Sequence, residues 1–266
     1  MSFPYRFRYK ISGNRDNPPL LFLHGFLGGK EDWNESLTAL EDTYLCVSVD
    51  LPGHGSTLVN GIDKYYSMPH VAWGVTNFLN QLQIKKCHLA GYSMGGRLAL
   101  YLAVKYPERC NKIIIESSLP GLKTKAECRV RRQRDRALAQ KLETENFEKF
   151  LKEWYAQPLF TTLKKDPVKF RKLFKRRLKN DPLLLARSLK LMGVGVQPSL
   201  WDDISAISSP LLFIAGDLDS KFKELALEMG NLCPQAKVCI IKNCGHNVHF
   251  EKPQEYFDTV RQFLKK

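Results

Sequence analysis

The pentapeptide Gly91-Tyr92-Ser93-Met94-Gly95 is the part of the sequence whose residue types point most directly to chemistry. It matches the pattern Gly-x-Ser-x-Gly, follows a short apolar run at 87–90 and precedes a stretch with helical periodicity. In that context the pattern predicts a sharp turn between a strand and a helix, which lifts the serine hydroxyl above a sheet. We therefore predict that Ser93 is a catalytic residue.

A serine hydroxyl becomes reactive only when a neighbouring base accepts its proton, and the sequence contains six histidines. His246 follows the last strand-like run, late in the chain, where the order serine, acid, histidine requires the base. The other five have structural interpretations: His88 lies in a strand pattern, His24 and His54 in turns, and His70 and His249 near helix starts. His246 is the predicted base.

The base in turn needs a carboxylate that fixes its tautomer and stabilises its charged form. Asp217 and Asp219 both follow the strand-like run at 211–215, and both precede His246 in the chain. We expect Asp217 to brace the turn at the strand end and Asp219 to be the catalytic acid partner.

Two backbone N–H groups are placed to stabilise a negatively charged oxygen in such a site. Met94 directly follows Ser93, and Phe26 follows His24-Gly25 at the end of an earlier strand-like run. Main-chain N–H groups at these two places form the oxyanion hole of enzymes with this serine turn. Phe26 and Met94 are therefore the predicted oxyanion donors, through their backbones.

These residues need a framework, and short apolar runs alternate with helical patterns along most of the chain. The strand-like runs are 20–23, 44–49, 87–90, 112–115, 211–215 and 238–241, and helical periodicity occurs at 68–82, 97–105, 221–232 and 254–264. This alternation predicts an α/β fold with a mainly parallel sheet and helices on both faces. Ligands bind beyond the carboxyl ends of such strands, where the candidate loops fall.

The segment 119–199 departs from this alternation. It has a helical pattern, lacks strand-like runs and is divided by Pro158, Pro167, Pro182 and Pro198. We expect residues 1–118 and 200–266 to form the core and 119–199 to form a helical cap inserted over it. Residues 119–200 hold 21 Lys and Arg against 8 Asp and Glu, which accounts for +13 of the net charge of +14. This segment is suited to an anionic ligand.

Composition and cysteine usage exclude several classes of protein. No apolar run approaches the ~18 residues that span a bilayer, and the N-terminus lacks the apolar centre of a signal peptide, so we expect a cytoplasmic protein without a membrane partner. Seven cysteines without framework spacing predict free thiols. Cys239, Cys244 and His246 lie close together, but Cys-x-x-Cys pairs are missing, so we expect no metal site.

Seven short motifs carry a family resemblance, and several lie in the segment 119–199. They are His24-Gly25-Phe26-Leu27-Gly28, Tyr92-Ser93-Met94-Gly95-Gly96-Arg97, Pro120-Gly121-Leu122, Trp154-Tyr155-Ala156-Gln157-Pro158-Leu159-Phe160, Gln197-Pro198-Ser199-Leu200-Trp201, Asp219-Ser220-Lys221-Phe222 and Gly245-His246-Asn247. Over its whole length the chain resembles the α/β-hydrolase fold family. More closely, it resembles the 2-succinyl-6-hydroxy-2,4-cyclohexadiene-1-carboxylate synthase (MenH) family of menaquinone and phylloquinone biosynthesis.

The resemblance implies a lyase that removes a proton beside a succinyl ketone and expels pyruvate from a tricarboxylate, without a metal or organic cofactor. It implies that Ser93, His246 and Asp219 act together as a base, with no acylation of the serine. A tricarboxylate calls for guanidinium partners. Arg97 lies one turn after Ser93, and Arg131 and Arg177 match the cap positions, with Arg132 and Arg176 as adjacent alternatives. Tyr92 and Trp154 are predicted to line the pocket, and core packing is the alternative for Trp154.

Two other functions remain open at this point. A carboxylesterase or a carbon–carbon bond hydrolase would use the same triad, because one fold supports many reactions. A binding protein for nucleic acid or another acidic partner would use the basic segment, but the sequence has no nucleic-acid-binding motif. An intact apparent triad favours an enzyme that acts on a small anionic substrate and has no nucleic-acid partner.

Overall fold

The computed structural model describes residues 3–265, which form a twisted seven-stranded sheet covered by helices and a separate two-stranded ribbon. The strands are β1 (Tyr5–Arg6), β2 (Tyr9–Ser12), β3 (Pro19–Leu23), β4 (Leu45–Val49), β5 (Leu58–Val59), β6 (Cys87–Tyr92), β7 (Cys110–Glu116), β8 (Leu211–Gly216) and β9 (Ala236–Ile241). The main sheet has the order β2-β4-β3-β6-β7-β8-β9, and only β2 runs antiparallel to its neighbour. The predicted mainly parallel sheet is confirmed.

Ten α-helices occur in the described part of the chain. They are α1 (Asn34–Leu40), α2 (Met68–Gln81), α3 (Met94–Lys105), α4 (Lys125–Thr144), α5 (Phe147–Ala156), α6 (Pro167–Arg177), α7 (Pro182–Met192), α8 (Ser220–Leu232), α9 (Val248–Glu251) and α10 (Pro253–Lys265). All six strand-like runs and all four helical stretches found in the sequence have counterparts. The sequence patterns missed β1, β2 and β5, which are short, and also α1 and α9, which have only seven and four residues.

The central strands are apolar because both faces of the sheet are covered. Every residue of β4, β6 and β8 is buried. One apolar cluster packs α2, α3 and α8 on one face of the sheet, and a second packs α1 and α10 on the other. The ends of β3, β6, β8 and β9 are thereby fixed on one edge, and the loops that follow them carry the candidate catalytic residues.

The segment between β7 and β8 contains α4, α5, α6 and α7 and no strand. Its prolines begin helices instead of only interrupting them: Pro167 and Pro182 are the first residues of α6 and α7. Proline suits this position because its missing N–H would have no partner within the helix. These helices form their own apolar cluster, which meets the core at Leu27 and Phe250.

Candidate active site

Ser93 lies on the turn between β6 and α3 in an unusual backbone conformation, with φ +49° and ψ −105°. A positive φ is strained for a residue with a side chain, and such strain is common at functional sites. The turn is tight because glycines flank it. A Cβ atom on Gly91 would lie 2.5 Å from the carbonyl oxygen of Gly95, and one on Gly95 would collide with the Leu23 carbonyl of β3.

His246 joins Ser93 to Asp219 in one hydrogen-bonded line. The Nδ1–H of His246 donates to Oδ2 of Asp219 at 2.6 Å, and its Nε2 lies 3.4 Å from the Ser93 hydroxyl oxygen. Because Asp219 accepts a hydrogen bond from Nδ1–H and so keeps the proton on Nδ1, Nε2 is left as an acceptor facing the serine, as a base requires. Asp219 and His246 are buried, whereas Ser93 is partly exposed.

Asp217 and Asp219 have different partners, although both follow β8. Asp217 accepts a hydrogen bond from the backbone N–H of Cys244 at 3.2 Å, in the loop that precedes His246. Asp219 caps α8, where it accepts from the N–H of Phe222 at 3.4 Å, and also holds His246. The structure thus brings Asp219 to the histidine and places Asp217 as a brace between two loops.

The two predicted oxyanion donors lie on either side of the serine turn. Met94 is the first residue of α3, so its N–H has no carbonyl partner one turn earlier in the helix. Phe26 is the second residue of a β-turn closed by the Gly28 N–H and the Gly25 carbonyl at 2.9 Å, with Leu27 at φ +66°. The N–H of the second residue is not used within such a turn. Both residues line the same cavity as Ser93.

A cavity of about 350 Å³ lies between the sheet edge and the helices of residues 119–199. Of the ten residues predicted for the site, all except Asp219 line it: Phe26, Tyr92, Ser93, Met94, Arg97, Arg131, Trp154, Arg177 and His246. Asp219 reaches the cavity only through His246. The volume suits a small-molecule ligand.

Arg97, on α3, is a buried cation held by neutral groups. One of its terminal nitrogens donates to the Met192 carbonyl at 2.9 Å and to Oε1 of Gln197 at 2.6 Å. Within residues 3–265 no carboxylate lies within salt-bridge distance of this guanidinium. Burial, and to a smaller extent the charge of Arg131, lowers the pKa of Arg97 to about 9. The nearby charge of Asp135 has the opposite, smaller effect. The side chain remains a cation at neutral pH without a carboxylate in direct contact.

Arg177, at the end of α6, is a buried cation with a full counter-charge. Its two terminal nitrogens bind the two oxygens of Asp32 at 2.8 Å each, and its Nε donates to the Tyr155 hydroxyl at 3.1 Å. Burial lowers the pKa of Arg177, but the charge of Asp32 outweighs burial and raises it overall. Asp32 shows the reverse balance: burial raises its pKa, and Arg177 lowers it overall.

Arg131, on α4, is partly exposed and holds a carboxylate through Nε only. It donates to Oδ1 of Asp135 at 2.7 Å. The two alternatives from the sequence, Arg132 and Arg176, do not line the cavity. Arg132 donates to the Gly195 carbonyl at 3.4 Å, and Arg176 lies 3.5 Å from Asp32. The structure therefore directs Arg131 and Arg177, and neither alternative, toward the cavity.

Two aromatic side chains, Tyr92 and Trp154, also line the cavity. The ring of Tyr92 lies between those of His246 and His249, with centroids 5.4 and 5.1 Å away. Trp154 contacts the rings of Phe26 and Phe160 while it faces the cavity. Trp154 therefore packs in the apolar cluster and lines the cavity at once, which combines both of its expected roles.

The sequence patterns missed several residues of the site. Lys221 and Asn247 line the cavity, and both belong to motifs that also hold a triad residue, so adjacency to the triad was the available signal. His249 pairs with Glu116 at 2.7 Å, in contact with Tyr92. Nothing local in the sequence links these two, because they are 133 residues apart.

Two further findings concern metal binding and membrane spanning. Residues 3–265 contain no cluster of three or more His, Cys, Asp or Glu side chains that could hold a metal ion, and all seven cysteines are free. In the same range no helix combines the length and the apolar character needed to cross a membrane.

Comparison with known proteins places this fold and site in context. The family model described as alpha/beta hydrolase fold matches residues 18–253. A Bacillus subtilis (strain 168) protein, provisionally named 2-succinyl-6-hydroxy-2,4-cyclohexadiene-1-carboxylate synthase, is 37% identical over 97% of this chain and 94% of its own length. A synthase of that name from Escherichia coli O1:K1 is 35% identical over 93% and 94%. The solved structure of MenH from S. aureus has a TM-score of 0.91 and 33% identity, and covers 99% of this chain and 98% of that one.

Proposed function

This chain belongs to the 2-succinyl-6-hydroxy-2,4-cyclohexadiene-1-carboxylate synthase family of the α/β-hydrolase fold, and from that premise we propose that it is a lyase of menaquinone or phylloquinone biosynthesis. It eliminates pyruvate from 2-succinyl-5-enolpyruvyl-6-hydroxy-3-cyclohexene-1-carboxylate, which we call the enolpyruvyl substrate. The product is 2-succinyl-6-hydroxy-2,4-cyclohexadiene-1-carboxylate. The observation that carries the proposal is the meeting of a serine–histidine–aspartate line and three arginines in one cavity.

The elimination begins with removal of the ring proton beside the succinyl ketone. Ser93 takes this proton while His246 accepts the serine proton, and Asp219 stabilises the imidazolium that forms. The electron pair of the broken C–H bond becomes an enolate, then shifts through the ring double bond and breaks the bond from carbon to the enolpyruvyl oxygen. The enolpyruvyl group leaves and becomes pyruvate once it gains a proton, and the ring keeps two conjugated double bonds.

The enolate oxygen carries the charge that develops in the transition state. The free N–H groups of Phe26 and Met94 lie beside Ser93 and act as its donors. Preorganised donors of this kind are often the largest single contribution to catalysis. The reaction needs no water and no acylated serine, which distinguishes the proposed role of the triad from hydrolysis.

Recognition of the substrate depends on charge. The enolpyruvyl substrate carries three carboxylates, and Arg97, Arg131 and Arg177 line the cavity from three different helices. Guanidinium groups bind carboxylates in two-point contacts, with geometric specificity as well as charge. The partner we propose is therefore a small tricarboxylate, with Tyr92 and Trp154 packing against its ring. Neither nucleic acid nor a membrane is part of the proposal.

The positions of the triad and of the arginines along the chain support a division into a core and a cap. We propose a core of residues 1–118 and 200–266 that carries the triad, and a cap of residues 119–199 that carries Trp154 and two of the arginines. All seven cysteines are free, which favours a reducing compartment such as the cytoplasm. The proposed chemistry needs no metal or organic cofactor, so prolonged chelation should leave the activity unchanged.

The test is to incubate the purified protein with freshly prepared enolpyruvyl substrate and to measure pyruvate release against a control without enzyme. We expect a large acceleration. A rate equal to the control would overturn the proposal. If the same preparation then cleaved p-nitrophenyl esters with a burst of acyl release, the function would be that of a carboxylesterase or a related hydrolase.

A further inference from the structure

The ion pair between Asp32 and Arg177 connects the two parts of the molecule that the substrate must lie between. Asp32 belongs to the short 3₁₀ helix Lys30–Trp33, just after the turn that holds Phe26, and it also accepts a hydrogen bond from the Gly29 N–H at 3.3 Å. Arg177 ends α6 in the cap. One carboxylate therefore joins a core segment that follows the turn of Phe26 to a cap residue that lines the cavity.

The ion pair between Asp32 and Arg177 is buried, so each charge depends on its partner. The side chains of Arg177 and Asp32 are only 6% and 8% exposed. Removing one partner of a buried ion pair leaves a charge without compensation, which is far more costly than losing an exposed pair. An Arg177 without Asp32 would turn its guanidinium toward water or another partner and away from its present place in the cavity wall.

The pairing still leaves Arg177 able to bind a ligand. A guanidinium has five N–H groups. Tyr155 takes the one on Nε, and Asp32 takes one from each terminal nitrogen, so each terminal nitrogen keeps a second N–H. Two anchors on different elements fix the plane of the guanidinium, and a pre-oriented plane loses less entropy when it binds a carboxylate.

We propose that Asp32 is a positioning residue for substrate recognition: it aligns Arg177 toward one carboxylate of the substrate and secures the cap end of α6 against the core. This inference rests on the proposed function. Asp32 acts through Arg177 and makes no contact with the reacting atoms, so its loss should weaken substrate binding more than it slows the chemical step.

The test measures KM and kcat for pyruvate release in Asp32→Asn, Arg177→Gln and the double variant Asp32→Asn/Arg177→Gln. We expect Asp32→Asn to raise KM by about 10- to 100-fold, with kcat within about threefold of the wild type, because a small misplacement of a substrate-orienting group is enough for such a loss. In the double variant KM should equal that of Arg177→Gln alone, because both changes remove one function.

Asp63→Asn is the matched control. Asp63 also pairs across the core and the cap, with Arg187 at 3.2 Å, but this pair is exposed and lies outside the cavity. The Asp63→Asn substitution should leave the KM for the enolpyruvyl substrate unchanged. If Asp32→Asn does not fold, the KM of Arg177→Gln is compared with that of the double variant, and equal values support the inference. The double variant is expected to fold because a neutral pair of similar size is tolerated better than a lone buried charge.

Three results would overturn the inference. The first is a KM in Asp32→Asn no higher than in Asp63→Asn, and the second is a fall in both kcat and thermal stability of Asp32→Asn with no change in KM. The third is a further rise in KM when Asp32→Asn is added to Arg177→Gln. Failure of the proposed function is a separate result, since the wild type itself would then release no pyruvate above the control.

Discussion

The core side and the cap side of the cavity treat their charged residues differently. On the core side Arg97 is held by two neutral oxygens, and no carboxylate pairs with it directly. On the cap side each arginine has a carboxylate, Asp135 for Arg131 and Asp32 for Arg177. A buried cation without a paired carboxylate gains more from an incoming carboxylate than a cation that already has one. We infer that the core provides the chemistry and the strongest anion contact, whereas the cap provides shape and orientation.

The largest expected effect comes from a substitution in the triad, which lies on the core side of the cavity. Asp219→Asn should lower kcat by about 10³- to 10⁴-fold with little change in KM, because the amide favours the wrong tautomer of His246. Asp217→Asn is the control, since Asp217 contacts only the loop before the histidine, and its kcat should stay within about threefold of the wild type. Steady-state pyruvate release measures both, and equal losses in the two variants would contradict the assignment of Asp219.

The next effect tests the cation without a paired carboxylate. Arg97→Gln should raise KM for the enolpyruvyl substrate by about 100-fold, the value of a lost hydrogen bond between charged groups in a buried site. Arg109→Gln is a suitable control, because Arg109 also donates to backbone carbonyls but lies outside the cavity. A KM in Arg97→Gln below that of Arg177→Gln would reverse the ranking of core and cap.

A smaller effect is expected at the exposed edge of the cap. The Arg131 side chain is 36% exposed, so water screens its contact with a carboxylate. Arg131→Ala should raise KM by about fivefold, and Arg132→Ala should leave it unchanged because Arg132 does not line the cavity. The same assay decides between these neighbours. A larger rise in Arg132→Ala would exchange their roles.

The last expected effect concerns stability and leaves turnover unchanged, and it again separates core from cap. All six histidines lie outside the cap segment. Burial lowers the pKa of His24 and His54, and that of His88 to about 4. The unfolded chain therefore binds more protons below its histidine pKa of ~6.5, and stability falls as the pH falls through this range.

The expected slope is about 1.4 kcal/mol per pH unit for each buried neutral histidine. Urea unfolding at pH 7 and pH 5 measures it, with His88→Gln as the variant that should flatten the dependence. Equal free energies of unfolding at the two pH values would contradict the burial of these histidines in their neutral form.

The same contrast explains how much the sequence could predict. Ser93 and the turn of Phe26 follow apolar strands that are buried on both faces, and His246 follows the partly buried edge strand β9. A local pattern therefore locates these residues, and the parallel sheet brings them together. The cap residues depend on how helices pack against the core, and no local pattern encodes that packing. Only the family resemblance singled out Arg131 and Arg177 as candidates.

Neither the local sequence patterns nor the family resemblance predicted the partners that are distant in the sequence. Asp32 and Arg177 are 145 residues apart, and His249 and Glu116 are 133 residues apart. Burial of such pairs is fixed by the whole fold, because each charge becomes tolerable only when its partner arrives from another element. The sequence located the charged residues but could not show which of their charges would be compensated.

The central claim is that the Ser93–His246–Asp219 line performs the elimination. The most direct measurement is the rate of pyruvate release by Ser93→Ala at saturating enolpyruvyl substrate, in a preparation whose thermal unfolding matches the wild type. The account predicts a loss of at least about 10³-fold, since alanine removes the proton acceptor. A rate similar to that of the wild type would remove Ser93 from the mechanism and contradict the account.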